Sequence, residues 1–100
     1  MKHYTKTNIG NEGRVELHEA LGLTGAEVSI NVLPAGAGVS FVHSHKKNEE
    51  ITLVAGDWLR IAPAAKRQFF AANDAGIVYV CVQVKANSLG GFTADDAVVY

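Results

Sequence analysis

Gly36-Ala37-Gly38-Val39-Ser40-Phe41-Val42-His43-Ser44-His45-Lys46-Lys47-Asn48-Glu49-Glu50-Ile51 is the stretch on which the fold turns. Successive side chains of a β-strand point to opposite faces. A strand over 39–45 therefore places Val39, Phe41, His43 and His45 on one side. Two imidazoles one pleat apart can reach a single ion at about 2.0–2.1 Å each. A carboxylate from the next strand completes three ligands. Glu50 is the better choice because it directly precedes the apolar residue that opens that strand; Glu49 points the other way once the strand has begun. Imidazole nitrogen with carboxylate oxygen suits zinc, iron, nickel, copper or manganese, and leaves positions open for a substrate. The competing reading is a strand whose polar face merely carries two histidines.

Working outward, residues 26–33 alternate, with Val28, Ile30 and Val32 on one face and Glu27, Ser29 and Asn31 on the other. This is the period-2 signature of a half-buried strand. Residues 57–61 are a further strand, stopped by Pro63, and residues 67–72 another. Residues 77–85 (IVYVCVQVK) are β-branched and apolar on both faces. Such a strand is covered on both sides, by the core on one and by a partner subunit on the other, which favours a homodimer. Residues 15–21 read equally as a short helix or a strand, and the tail after Gly91 has no clear assignment. Short strands with glycine punctuation and almost no helix indicate an all-β sandwich or barrel.

The bulk numbers set the frame. One hundred residues make a single domain, 1–100, with one core. A net charge of -1 offers no basic stripe for a phosphate backbone, so no nucleic-acid partner is expected. No apolar run reaches membrane-span or signal-peptide length. With Cys81 as the single cysteine, no internal disulfide can form. These features suit a cytoplasmic protein. Cys81 lies in the most apolar strand and reads as a small buried hydrophobe rather than a nucleophile. Lys46, Lys47, Lys66 and Arg67 read as a solvated rim, and His3 and His18 as solvated or locally paired. Trp58, Phe69, Phe70 and Tyr79 read as core; Phe41, sharing the histidine face, is the best candidate for a pocket wall. Asp57 reads as a turn residue.

The quoted run resembles the first motif of the cupin superfamily: a glycine, a short strand, His-x-His, a few residues, then Glu, here His43-Ser44-His45, four residues and Glu50. Residues 56–68 (GDWLRIAPAAKRQ) resemble the second motif, with Asn73 as its last element. The two motifs and their flanking strands cover roughly residues 26–85. The resemblance implies a cupin-like β-barrel or jelly roll (a double-stranded β-helix), with a divalent transition metal on His43, His45, Glu50 and the position of Gln68. Three departures stand out. Ala65 replaces the motif's glycine, and Gln68 its third histidine. A glutamine carbonyl is a poorer ligand than imidazole for zinc or nickel, so Gln68 is a weak fourth metal donor or a hydrogen-bonding contact to a ligand. The third is length: cupins carry a β-hairpin between the motifs, whereas here only five residues, 51–55, separate Glu50 from Gly56. Five residues span at most ~18 Å, enough for one strand. Either the chain lacks an internal segment, or the barrel has two strands fewer and an open edge.

Two functions follow from these residues. One is a metal-dependent enzyme acting on a small oxygen-rich substrate through His43, His45 and Glu50. The other is a metal-free binding or sensor module that holds a small ligand through the histidines, Phe41 and Gln68. A fold shared by many chemistries does not choose between them.

Overall fold

A computed structural model describes residues 3–10, 13–89 and 96–100. Its elements run β1 (Arg14–Glu16), α1 (Leu17–Leu21), β2 (Glu27–Leu33), β3 (Asn48–Val54), β4 (Asp57–Ile61) and β5 (Ile77–Lys85). They form one five-stranded antiparallel sheet in the order β1-β2-β5-β3-β4. The strand richest in β-branched residues, β5, lies at the centre, hydrogen-bonded to β2 on one side and β3 on the other. The ambiguous stretch 15–21 resolves into both forms: β1 ends at Glu16 and α1 follows at once, closed by Gly22 in the left-handed conformation. No helix among the described residues is long and apolar enough to cross a membrane.

The register defines two faces. Val28, Val82 and Ile51 stand side by side on one, as do Ile30, Val80 and Leu53. Ser29, Cys81 and Thr52 form a row on the other, with Asn31 beside Tyr79 and Glu50 beside Gln83. A strand of this pattern ordinarily buries its apolar set. Here the order is reversed. Ser29 is 1% exposed, Asn31 5% and Thr52 0%, while Val32 is 40% and Val78 59% exposed. The polar rows face the interior, and the valines face outward. Buried polar groups must be hydrogen-bonded, and these are: the Asn31 amide donates to Ser29 Oγ at 3.0 Å and Thr52 Oγ1 donates to Glu50 at 3.1 Å.

A second layer covers the polar face. It is built by residues 36–45 and 63–72, expected as two strands over 39–45 and 67–72. They form an interrupted antiparallel ladder instead. Gly36, Val39, His43 and His45 donate backbone hydrogen bonds to Ala72, Phe69, Arg67 and Pro63 respectively. The steps do not match: three residues lie between Val39 and His43, but only one between Phe69 and Arg67. Two surplus residues at 40–42 make a bulge, which bends the strand and breaks regular pairing. Gly38 lets the strands come close beside it: a Cβ there would lie 2.4 Å from the Phe70 ring, which would have to move, and 3.3 Å from the Phe69 carbonyl oxygen. Across the layers, Phe69 stacks on Tyr79 with ring centroids 4.9 Å apart.

The short connection between the two motifs is a tight hairpin. Pairing runs without a break from Glu50–Ile61 to Val54–Asp57, so Ala55 and Gly56 alone make the turn. The barrel is thus built with two strands fewer, and β4 is an open edge. Asp57, expected in the turn, is the first residue of β4. Trp58, expected in the core, is 72% exposed on that edge, and Phe70 is 65% exposed. Both turn residues have positive φ, 45° at Ala55 and 92° at Gly56, as a two-residue hairpin of matching twist requires. Alanine is strained there; asparagine or glycine is at ease. Ala55→Asn is expected to stabilise the fold by about 1 kcal/mol, raising Tm by roughly 4–8 °C. An unchanged or lower Tm in a thermal melt would remove the turn argument.

Candidate metal centre

Three side chains converge inside the barrel. His43 and His45 come from the bulged strand of the second layer, past the bulge, and Glu50 from β3 of the main sheet. Backbone pairing of His43 with Arg67 in both directions, at 3.0 and 2.8 Å, fixes the first histidine. The second is fixed by His45 N–H donating to the Pro63 carbonyl at 2.8 Å. The two rings meet edge to face, 5.2 Å apart. One potential ligand atom from each of His43, His45 and Glu50 lies within 4.8 Å of the others. His45 Nε2 stands 3.5 Å from Glu50 Oε1.

The chemistry of this cluster fits a cation. Glu50 is only 2% exposed. Its other carboxylate oxygen accepts from Thr52 Oγ1 at 3.1 Å and, more weakly, from the Cys81 thiol at 3.8 Å. Neither donor carries charge, and no lysine or arginine is paired with this carboxylate among the described residues. A buried carboxylate in such surroundings calls for a positive partner. Two imidazole nitrogens, His43 Nδ1 and His45 Nε2, are buried and make no hydrogen bond; the second has only its 3.5 Å approach to Glu50 Oε1. Burial lowers the pKa of His43, with the neighbouring charges of His45 and Arg67 adding to the effect and Glu50 opposing it. That favours the neutral imidazole a metal requires. Glu49 turns to the outside and accepts from Arg60 Nε at 2.9 Å. This is the alternation that separates the two neighbouring carboxylates.

Gln68 is hydrogen-bonded within the second layer. It sits opposite the bulge, and its Nε2 donates to the Val39 carbonyl at 2.7 Å. It is absent from the cavity lining. This amide bond ties the two strands of the second layer together next to the surplus residues at 40–42. Arg67 likewise is not part of a solvated rim. It is 8% exposed, and its guanidinium donates to the carbonyls of Ala62, Pro63 and Ala65. His18 is paired with Glu27 at 2.9 Å, and Asn73 is exposed.

The cluster opens onto a cavity of about 510 Å³ between the layers. Phe41 lines it at 59% exposure, with its ring 5.6 Å from that of His43. Phe69 and Tyr79, expected only as core, line it too, as do Arg14, Asn31 and Ser29. The sequence signal for Ser29, Asn31 and Thr52 is their two-residue spacing on strands that also carry a barrel face. Cys81 is buried as expected, but it also touches the polar cluster through Thr52 and Glu50. Burial raises the pKa of its thiol, so it remains a protonated weak donor at neutral pH.

The chain closely matches a solved protein of the same build. The crystal structure of a cupin protein from Bacteroides fragilis superposes with a TM-score of 0.92 at 55% sequence identity, over 100% of this chain and 99% of that one. No family model matches the chain, and no curated protein does. A small all-β barrel with an inward-facing His-x-His and glutamate defines the cupin class of domain. At this identity and coverage, this chain belongs to the cupin family.

Proposed function

We propose that this cupin binds a small molecule in its cavity beside a divalent transition metal held by His43, His45 and Glu50, and acts on that molecule as an enzyme. The observation that carries this reading is the buried Glu50 carboxylate clustered with His43 and His45, each of which has a buried ring nitrogen that makes no hydrogen bond. Zinc, nickel, iron, manganese and copper all accept this donor set. When bound, such a metal supplies a Lewis acid for an oxygen of the substrate. The chain's own residues do the rest. Thr52 and Cys81 orient Glu50 from behind, and Phe41, Phe69 and Tyr79 give the ligand an apolar wall.

Metal analysis tests the proposal. Purified protein, refilled after chelation, is expected to hold close to one transition-metal ion per chain, and His43→Ala to hold essentially none while keeping its circular dichroism spectrum. A wild-type protein that stays metal-free with an intact cavity supports a second reading, a metal-free binding module. The engagement of the Gln68 amide nitrogen with Val39, together with the absence of Gln68 from the residues lining the cavity, favours that reading.

We further propose a homodimer joined through the outer sheet face. Val28, Ile30, Val32, Val78, Val80 and Val82 share that face. The exposure of Val32 and Val78 there is what a self-complementary two-fold contact would cover. The single protonated, buried thiol suits the reducing cytoplasm.

A further inference from the structure

The cavity has a second polar pole, remote from the histidines. Arg14 on β1 is the only lysine or arginine among the residues that line it. Its Nη1 donates to Asn31 Oδ1 at 2.6 Å, and Asn31 in turn donates to Ser29. Asn31 is 5% exposed and Ser29 1%, so the guanidinium is held by a rigid, buried relay. Its other edge is loosely occupied. Nε and Nη2 reach Glu16 Oε1 at 3.4 and 3.3 Å, in a pair whose side chains are 52% and 46% exposed. An ion pair that long and that wet contributes little.

The sheet sets the separation of the two poles. Arg14 pairs with Asn31 and Asn31 with Tyr79, whereas Glu50 lies on β3, three strands from β1 in the order β1-β2-β5-β3. Three spacings of roughly 4.8 Å are about 14 Å across the strands. Glu50 lies opposite Gln83 rather than Tyr79, about 13 Å along them at about 3.3 Å per residue. The two backbones are thus about 20 Å apart, a gap shortened by side chains that reach inward from both ends. The stacked Phe69 and Tyr79 rings belong to the wall of the same cavity. Arg14 is close enough that its positive charge opposes the burial-driven rise in the Tyr79 pKa.

We propose that the cavity selects a small carboxylate with an apolar middle, its carboxylate on the Nε/Nη2 edge of Arg14 in place of Glu16, and its far end, an oxygen group, at His43, His45 and Glu50. A guanidinium edge and a carboxylate match in a two-bond fork, which neutral amides cannot reproduce. The far end of this assignment rests on the metal-site reading above; the Arg14 end does not.

The test therefore starts on metal-free protein. Benzoate, 4-hydroxybenzoate and glutarate are titrated by calorimetry against wild type, Arg14→Gln and Glu16→Gln, with 4-hydroxybenzamide as the uncharged control and a thermal melt of each variant to confirm folding. The acids are expected to bind wild type, with 4-hydroxybenzoate tighter than its amide. Arg14→Gln should weaken the acids by more than about ten-fold and leave the amide within two-fold, and Glu16→Gln should tighten the acids. Equal weakening of acid and amide, equal affinities in wild type and Arg14→Gln, or no binding of any of the three acids overturns the assignment. Zinc titration is run separately. Loss of zinc binding with the Arg14 preference intact rejects only the metal site, whereas zinc binding without any Arg14 preference rejects only the carboxylate pole.

Discussion

Glu50→Gln is expected to lower metal affinity by more than about 100-fold, exceeding the 10–100-fold typical when an outer-shell partner is removed. The metal-free protein should nevertheless become no less stable. Wild-type Glu50 is buried at 2% exposure, with Thr52 and Cys81 as uncharged donors. Glutamine keeps an oxygen for Thr52 and removes the charge, so it relieves a desolvation cost of order 1–3 kcal/mol. Metal reverses the order. At a hundred-fold excess over Kd it should stabilise wild type by about 2.7 kcal/mol, which for a domain of this size is a Tm rise of about 10 °C or more. The variant should show no such rise. Melts of both proteins with and without zinc read all four corners of this cycle. Stoichiometric zinc on Glu50→Gln at wild-type affinity would dismiss the carboxylate as a ligand.

The second large effect concerns assembly. Val78→Lys should convert a dimer to a monomer, weakening association by at least about 100-fold, because a charge at the middle of an apolar contact is left desolvated and unpaired. The position suits the test: Val78 is 59% exposed in the single chain, so lysine there leaves the fold nearly unaffected. Sedimentation equilibrium measures the outcome directly. A wild-type protein that sediments as a monomer at micromolar concentration, or a Val78→Lys protein that stays dimeric, would refute the proposed face.

The strand pattern and the His-x-His spacing made much of this molecule legible. β2, β4 and β5 lie where alternation and β-branching put them, and Glu50 rather than Glu49 faces inward because the strand has already begun at Asn48. What was hidden has one cause in common. Alternation reports that two faces differ, not which of them the rest of the chain covers. The Val28 set was open to be core, yet the second layer closes over Ser29 and Asn31. The surroundings of Gln68 were hidden for a similar reason: a motif position fixes a residue's number along the chain but not its partner, and here the Gln68 amide nitrogen meets the Val39 carbonyl next to the surplus residues at 40–42. Arg14 was invisible because its significance depends on the pairing of β1 with β2, a contact across 17 residues of sequence.

That same slack in the backbone separates two jobs. Ser40, Phe41 and Val42 take no part in the ladder, while His43 is clamped to Arg67 in both directions and Val39 to Phe69. The backbone at 40–42 can therefore shift while the backbone of His43 stays fixed by Arg67. The wall formed by Phe41 is thereby free to vary while the His43–His45–Glu50 cluster keeps its place.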